Sequence, residues 1–152
     1  MAMTAKKLKR RLSFYPPYLG AGVRVTRLAE DFSSMTVEMP LHFWNKNYVG
    51  THFGGSLYSM VDPHFMLMLI NRLGPGYIVW DKAATIRFKR PGKGVVKAHF
   101  EITDTRLAEI KASVAAQGKI EPLFQVAITD ERGEIVAEVD KLLYVRKKDK
   151  KA

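Results

Sequence analysis

The sequence predicts an α+β protein in which an antiparallel sheet encloses one apolar helix. The stretch between Gly54 and Gly74 is rich in leucine, methionine and aromatic residues on nearly every helical face, which is typical of a helix buried on all sides. About six other segments alternate between apolar and polar residues, as half-buried strands do. A sheet with one apolar face can close around such a helix, which favours this architecture.

The composition describes one ordinary globular domain. The chain has 152 residues, 47% of them hydrophobic and 26% charged, which is enough for one domain with its own core. It contains no cysteine, so disulfides, thiol nucleophiles and thiolate metal ligands are excluded. The first 19 residues lack the apolar stretch of a secretory signal. The central apolar run is too short to span a membrane and contains Asp62 and Pro63. We therefore expect a cytoplasmic protein without integral membrane association.

The formal net charge of +10 is concentrated near the two ends. We divide the chain into a basic N-terminal arm with a short helix (residues 1–20), a main domain (21–146) and a basic C-terminal tail (147–152). Solvated tails are the simplest interpretation of such charge runs. Nucleic acid, an anionic membrane surface and a polyanionic coenzyme are the alternatives. No basic–aromatic RNA-binding signature is present, so we expect no nucleic-acid partner.

The remaining elements follow from periodicity and turn residues. A short basic helix is predicted over residues 4–14, docked through Leu8, Leu12 and an aromatic residue at 14 or 15. A second surface helix is predicted over 105–116, closed by Gly118. The predicted strands cover residues 22–28, 32–40, 77–90, 95–103, 122–129 and 135–146.

The central helix begins at Gly54-Gly55-Ser56 and ends at Gly74, which Pro75 follows. Asp62 lies in its middle, and a buried carboxylate is costly unless it is paired, hydrogen-bonded or protonated. Pro63 should kink the helix there because it lacks an N–H donor. Ser59 lies on the same face as Asp62, either to hydrogen-bond it or as a small core residue.

The residues around this helix start resemble those of the hotdog-fold acyl-CoA thioesterases. In that family His-Gly-Gly opens the central helix. An Asp or Glu follows nine positions after the His, and an Asn or Gln lies six positions before the same His. Here Gly54-Gly55, Asp62 and Asn47 match, whereas Phe53 occupies the His position and His52 precedes it. The likeness continues through Phe88-Lys89-Arg90-Pro91-Gly92 and the last hairpin. It is nearest to the phenylacetate-degradation and 4-hydroxybenzoyl-CoA thioesterases and to a group of tetrameric acyl-CoA thioesterases.

The resemblance implies a hotdog fold, with about six antiparallel strands wrapped around one long central helix, and hydrolysis of acyl-CoA. Asp62 would be the nucleophile or the general base, and the N–H groups of Gly54 and Gly55 would hold the oxyanion. Asn47 would orient the water or the thioester carbonyl, unless it only stabilises a turn. The residues assigned to substrate binding are His52, Ser59, Arg87, Lys89 and Arg90, the last three toward the phosphates of coenzyme A.

Helix geometry predicts that such a site needs two subunits. Gly54 and Asp62 are eight residues apart, or roughly 12 Å along one helix, yet both must lie near one carbonyl carbon. Two antiparallel helices from two subunits would bring the start of one to the middle of the other. We therefore predict a homodimer or a dimer of dimers.

Two other hotdog functions compete with hydrolysis. One is a non-catalytic acyl-thioester or lipid-binding module in which Asp62 is structural. The other is a dehydratase, which normally needs a catalytic histidine where Phe53 stands. The four histidines lack the spacing of metal ligands, so we expect neither a metal nor a cofactor beyond the coenzyme A of the substrate.

Overall fold

The computed structural model describes residues 3–148, which form five helices and seven strands. The helices are α1 (Ala5–Ser13), α2 (Pro16–Ala21), α3 (Gly54–Ser59), α4 (His64–Leu73) and α5 (Asp104–Gln117). The strands are β1 (Arg24–Leu28), β2 (Ser34–Pro40), β3 (Tyr77–Phe88), β4 (Val95–Glu101), β5 (Lys119–Ile120), β6 (Leu123–Thr129) and β7 (Ile135–Lys147). All six predicted strands and both predicted surface helices are present, whereas α2 and the two-residue β5 were not predicted. Most of the predicted C-terminal tail (149–152) lies outside the described residues.

The strands form one antiparallel sheet in the order β1-β2-β4-β6-β7-β3, with β5 attached to β7. The predicted α+β architecture is therefore confirmed. Alternate residues of β7, among them Val139, Leu143 and Val145, are fully buried on the inner face of the sheet. The long strand β3 lies at one edge, so one side of it has no partner strand within residues 3–148.

The predicted central helix is divided in two. Residues 60–63 separate α3 from α4, and the Asp62–Pro63 peptide bond is cis. The predicted irregularity at Pro63 is thus confirmed, but one continuous helix is wrong. The reason is that Pro63 has no N–H to continue the hydrogen-bond ladder, and α4 starts anew with the Leu67 N–H donating to the Pro63 carbonyl at 3.0 Å. Asp62 therefore lies in irregular backbone between two helices.

Both central helices pack their apolar residues against the inner face of the sheet. Leu57 and Met60 are buried at the end of α3 and just beyond it, and Phe65 and Met68 are buried in α4. Each such side chain contributes roughly 1.5–3 kcal/mol when fully buried. The sequence predicted a helix buried on all sides. Ile70 remains 38% exposed, so this prediction is wrong for the single chain.

The N-terminal arm packs onto the same core. In α1, Leu8 and Leu12 are buried, as predicted, while Phe14 and Tyr15 are exposed, so their predicted docking is wrong. The helix α2 redirects the chain immediately afterwards, and it is Tyr18 that enters the core.

Candidate active site

Asn47 closes the loop that leads into α3. Its Oδ1 accepts the N–H groups of Val49 (3.1 Å) and Thr51 (3.0 Å). Its Nδ2 donates to Thr51 Oγ1 at 2.9 Å and to the His52 carbonyl at 3.3 Å. Two roles were predicted for Asn47: to orient the water or the thioester carbonyl, or to stabilise a turn. These four contacts all lie within its own loop, as expected of a residue that stabilises a turn.

His52 ties this loop to the segment after β3. Its backbone N–H donates to the Gly92 carbonyl at 3.0 Å, and its Nε2 lies 2.9 Å from the Gly94 carbonyl oxygen. The ring is buried, and burial lowers the pKa of His52, opposed by the hydrogen bond to Gly94. A neutral ring that donates from Nε2 fits this position, so His52 supports the loop with the same ring that was predicted to contact substrate.

The start of α3 presents backbone donors beside an aromatic ring. The N–H groups of Ser56 and Leu57 donate to the Phe53 carbonyl at 3.0 Å, whereas those of Gly54 and Gly55 precede the first intrahelical acceptor. A Cβ added to Gly54 would stand 3.0 Å from Cζ of Phe88, so a glycine is what allows this ring to lie over the helix start.

A cleft of about 410 Å³ opens at this helix start. Its walls come from the loop before α3, from α3 itself and from the end of β3. The lining residues are Asn47, Thr51, His52, Gly54, Leu57, Phe88, Lys89, Arg90, Pro91 and Gly92. The structure therefore brings five of the nine predicted site residues together. The other four do not line the cleft: Gly55, Ser59, Asp62 and Arg87.

Carboxylates partner the predicted phosphate-binding side chains. Arg87 Nη1 lies 2.6 Å from Asp140 Oδ2, and the hydrogen bond from Arg87 lowers the pKa of Asp140. Lys89 Nζ lies 3.0 Å from Glu138 Oε2 and lowers the pKa of that carboxyl. Arg90 pairs with Glu134. Because these pairs are partly exposed, water and salt screen them, and an anionic ligand can compete for the cations.

Asp62 is paired and accessible at the same time. Its Oδ1 lies 2.6 Å from Nζ of Lys141, while 40% of its side chain is exposed and the Lys141 side chain is fully buried. The sequence predicted a buried carboxylate that would need pairing, hydrogen bonding or protonation. The pairing is present, whereas the predicted burial is wrong. The pairing is the one foreseen for a structural carboxylate, whereas the exposure is what a group in contact with substrate needs.

Sequence reasoning missed the rest of this cluster. Lys141 Nζ also lies 3.0 Å from Asp81 Oδ1 and 3.3 Å from the Tyr58 hydroxyl. The register of β3 shifts at a bulge between Asp81 and Ala83, a feature that typically re-aims a side chain. Burial raises the pKa of Asp81, opposed by the nearby Lys141 ammonium. A signal existed, because the two-residue alternation of β7 places Lys141 among inward-facing apolar residues.

The side chain of Tyr18 contacts the irregular segment between α3 and α4 and the first residue of α4. The Tyr18 hydroxyl donates to the Asp62 carbonyl at 2.5 Å and lies 3.0 Å from His64 Nε2. His64 is fully buried, and burial lowers its pKa to about 3, so its ring is neutral near pH 7. No hydrogen bond joins the Ser59 hydroxyl to Asp62 within residues 3–148, and Ser59 is half-buried rather than part of the core.

Residues 3–148 also bear on metal binding and on membrane insertion. Within residues 3–148, no group of three or more His, Asp or Glu side chains is arranged to hold a metal ion. In the same range, no helix has both the length and the apolar character needed to cross a membrane.

The chain has the hotdog fold, which it shares with solved structures of thioesterase-type proteins. The chain belongs to the family described as Domain of unknown function (DUF4442), which matches residues 5–145. No curated protein matches the sequence.

Three solved structures illustrate the likeness. A Pseudomonas aeruginosa protein of unknown function, described as a probable thioesterase, is 22% identical, with a TM-score of 0.84 over 97% of this chain and 99% of its own. A Haemophilus influenzae thioesterase is 16% identical, with a TM-score of 0.69 over 97% of this chain and 93% of its own. The PaaI protein of the Escherichia coli phenylacetic acid degradation operon is 18% identical, with a TM-score of 0.65 over 95% of this chain and 92% of its own. At these identities the likeness concerns the fold.

Proposed function

We propose that this protein hydrolyses acyl-CoA thioesters to a free acid and coenzyme A. The observation that carries the proposal is the Asp62 carboxylate, which stays 40% exposed while a buried ammonium holds one of its oxygens. An anchored, accessible carboxylate suits a general base or a nucleophile. The thioesterases that share the fold support the same reaction class.

The chemistry has two forms that use the same groups. As a base, Asp62 takes a proton from water while the hydroxide adds to the thioester carbonyl. As a nucleophile, Asp62 attacks that carbon, expels the thiolate and forms an anhydride, which water then hydrolyses. In both forms the carbonyl oxygen gains negative charge, and the N–H groups of Gly54 and Gly55 stabilise it. When the intermediate collapses, the C–S bond breaks and the departing thiolate is protonated.

The complete site is proposed to form between two subunits. Asp62 does not line the cleft that contains Gly54. The two residues are eight positions apart, and Asp62 lies beyond the end of α3. A second copy with its helices antiparallel would bring its own carboxylate to this cleft. The open edge of β3 and the exposed Ile70 are surfaces that a second copy could cover. A homodimer or a dimer of dimers is therefore part of the proposal.

Subunit complementation tests this arrangement. Gly54→Val and Asp62→Ala each inactivate a different half of the site. Random mixing of the two variants places both changes in one site of each heterodimer and leaves the other site intact. About a quarter of the wild-type activity should return, because half of the dimers are mixed and each has one good site. Activity that stays at the sum of the two variants would contradict a shared site.

Phosphates of coenzyme A are proposed to bind at the mouth of the cleft. Lys89 and Arg90 line it, and their carboxylate partners are exposed enough for an anionic ligand to displace. Arg is suited to bidentate contacts with a phosphate.

Release of free thiol from a panel of acyl-CoA substrates is the primary test. The panel should span short, long and aromatic acyl groups and compare the wild type with Asp62→Asn, which keeps the shape of the side chain. We expect at least one substrate to be hydrolysed and its turnover to fall about 100-fold or more in the variant. Equal turnover of every hydrolysed substrate would remove Asp62 from the mechanism.

A non-catalytic acyl-thioester-binding module is the second candidate. The specific observation in its favour is the ion pair between Asp62 and Lys141 at 2.6 Å, which is the contact of a structural carboxylate. Saturable binding of a non-hydrolysable acyl-CoA analogue, with no thiol released from any member of the panel, would select this candidate.

A further inference from the structure

Lys141 is the most unusual side chain of the core. It occupies an inward-facing position of β7, between Val139 and Leu143, and its side chain has no exposed surface. A buried ammonium must be paired, because removing it from water is costly. Asp62 and Asp81 lie 2.6 and 3.0 Å from it. One buried cation is therefore shared between two carboxylates that come from different elements.

The two carboxylates hold the ammonium unequally. Asp62 makes an aligned hydrogen bond with Nζ, whereas Asp81 Oδ1 is close but has no hydrogen bond of acceptable geometry. Asp62 is also the more exposed of the two, at 40% against 22% of the side chain. The lysine thus holds most firmly the carboxylate that extends furthest toward solvent.

Stability alone is a weak reason for this arrangement. Apolar residues of similar volume often replace buried ion pairs without loss of stability, and Val139 and Leu143 are such residues at equivalent positions of the same strand. A lysine that serves Asp62 accounts for the charge at this position, because it supplies both orientation and a counter-ion to a carboxylate that must act as an anion.

We infer that Lys141 is a positioning residue for Asp62, and that Asp81 competes with Asp62 for the same ammonium. This inference rests on the proposed thioesterase function. Lys141 fixes Oδ1 and supplies its counter-charge, which leaves the second oxygen for the substrate or the water. Asp81 draws on the same ammonium, so removal of its charge should strengthen the interaction between Lys141 and Asp62.

Other ionisable groups border this cluster. Tyr58, from α3, places its hydroxyl 3.3 Å from Lys141 Nζ. His64, from α4, is neutral near pH 7 because burial lowers its pKa to about 3. Tyr18, from α2, donates to the backbone carbonyl of Asp62 rather than to its carboxylate. On this geometry, the charges that bear directly on the Asp62 carboxylate are those of Lys141 and Asp81.

The test is the pH profile of kcat/KM for a hydrolysed acyl-CoA. In Lys141→Met, Asp62 loses its cation, so the acidic limb of this pH profile should move to higher pH. In the same variant kcat should fall at least tenfold, with KM nearly unchanged. In Asp81→Asn, the ammonium serves Asp62 alone, so the acidic limb should move to lower pH. Opposite shifts from two neighbouring substitutions are not expected of a merely structural cluster.

Three controls keep the outcomes separate. Lys97→Met removes a lysine whose Nζ lies 3.0 Å from Glu38 on an exposed part of the sheet, and it should leave the profile in place. Lys141→Met added to Asp62→Asn should cause no further loss of activity, since the lysine acts through Asp62. Circular dichroism and denaturant unfolding verify that each variant is folded.

Each result decides one question. An unmoved acidic limb in both Lys141→Met and Asp81→Asn, with Asp62→Asn inactive, would overturn the positioning role and leave the proposed function intact. Full activity of Asp62→Asn would remove Asp62 from the mechanism and overturn the inference with it. Absence of thiol release by the wild type from every acyl-CoA would overturn the proposed function itself. If Lys141→Met does not fold, Asp81→Asn alone decides, and a limb that stays in place or moves to higher pH overturns the inference.

Discussion

The ring of Phe88 lies against the backbone of Gly54, so that a Cβ on this glycine would stand 3.0 Å from Cζ and 3.3 Å from Cε1 of the ring. Phe88 belongs to the inner face of β3 and is 56% exposed. The end of an edge strand thus covers the start of α3, and only a residue without a side chain leaves room there for both the ring and an incoming carbonyl.

Gly54→Ala should impair hydrolysis far more than it impairs folding. The ring is exposed enough to shift by a few tenths of an ångström, so we expect the free energy of unfolding to change by less than about 1 kcal/mol. The methyl group would stand against Phe88 at the wall of the cleft and should lower kcat/KM about tenfold or more. Thiol-release kinetics and denaturant unfolding of the same preparation measure the two effects.

Two further variants identify the cause of that loss. Gly20→Ala is the matched control, because a Cβ there meets nothing within 4 Å. Gly54→Ala combined with Phe88→Ala removes the ring that the methyl group displaces. If the activity returns in the double variant, ring displacement was the cause and close approach of substrate to the backbone is not required.

Asn47→Ala should destabilise the protein by about 1–3 kcal/mol, because two loop N–H groups lose their side-chain acceptor. Asn47→Asp retains this acceptor for Val49 and Thr51 but loses both donated hydrogen bonds, so it should be less destabilising. Denaturant unfolding measures both changes. A 100-fold loss of turnover in Asn47→Ala, without loss of stability, would instead assign Asn47 to the chemistry.

Substitution of Lys89 or Arg90 by alanine should raise KM for acyl-CoA by roughly three- to tenfold each, since both side chains line the cleft. Arg87→Ala is the matched control, because Arg87 is held by Asp140 away from that lining. An acyl thioester of N-acetylcysteamine, which lacks phosphates, should show no increase in KM. A similar increase with this substrate would mean that the two residues shape the cleft rather than bind phosphate.

His64 should make the protein less stable in acid. Its pKa is 6.5 when unfolded and about 3 when folded, so between these values the unfolded state binds more protons. The free energy of unfolding should therefore fall as the pH falls from about 6.5, by up to about 1.4 kcal/mol per pH unit from this group. His64→Gln lacks the titration, so its stability deficit against the wild type, measured by denaturant unfolding from pH 7.5 to 4.5, should shrink in acid. A constant deficit would contradict the assignment.

Local patterns along the chain were enough to predict most of the fold. Apolar residues that alternate on β2, β4 and β6 identified strands because each strand has one buried face. Gly54-Gly55 and Gly74 identified the ends of the central helical region because glycine suits helix boundaries. Asn47, His52 and Gly54 were predicted as site residues and do share one cleft, whereas their roles in catalysis and substrate binding stay predictions.

The sequence by itself determined the class of the fold, the limits of its strands and the loop that opens α3, because these depend on residues that are neighbours along the chain. Only the tertiary structure decided the partners of the charged groups. Lys141 and Asp62 are 79 positions apart, and their contact exists because β7 packs beneath the break between α3 and α4. The alternation of β7 is consistent with an inward-facing position 141, which was not predicted. No local pattern states which carboxylates a buried lysine will meet, since that depends on how distant elements pack.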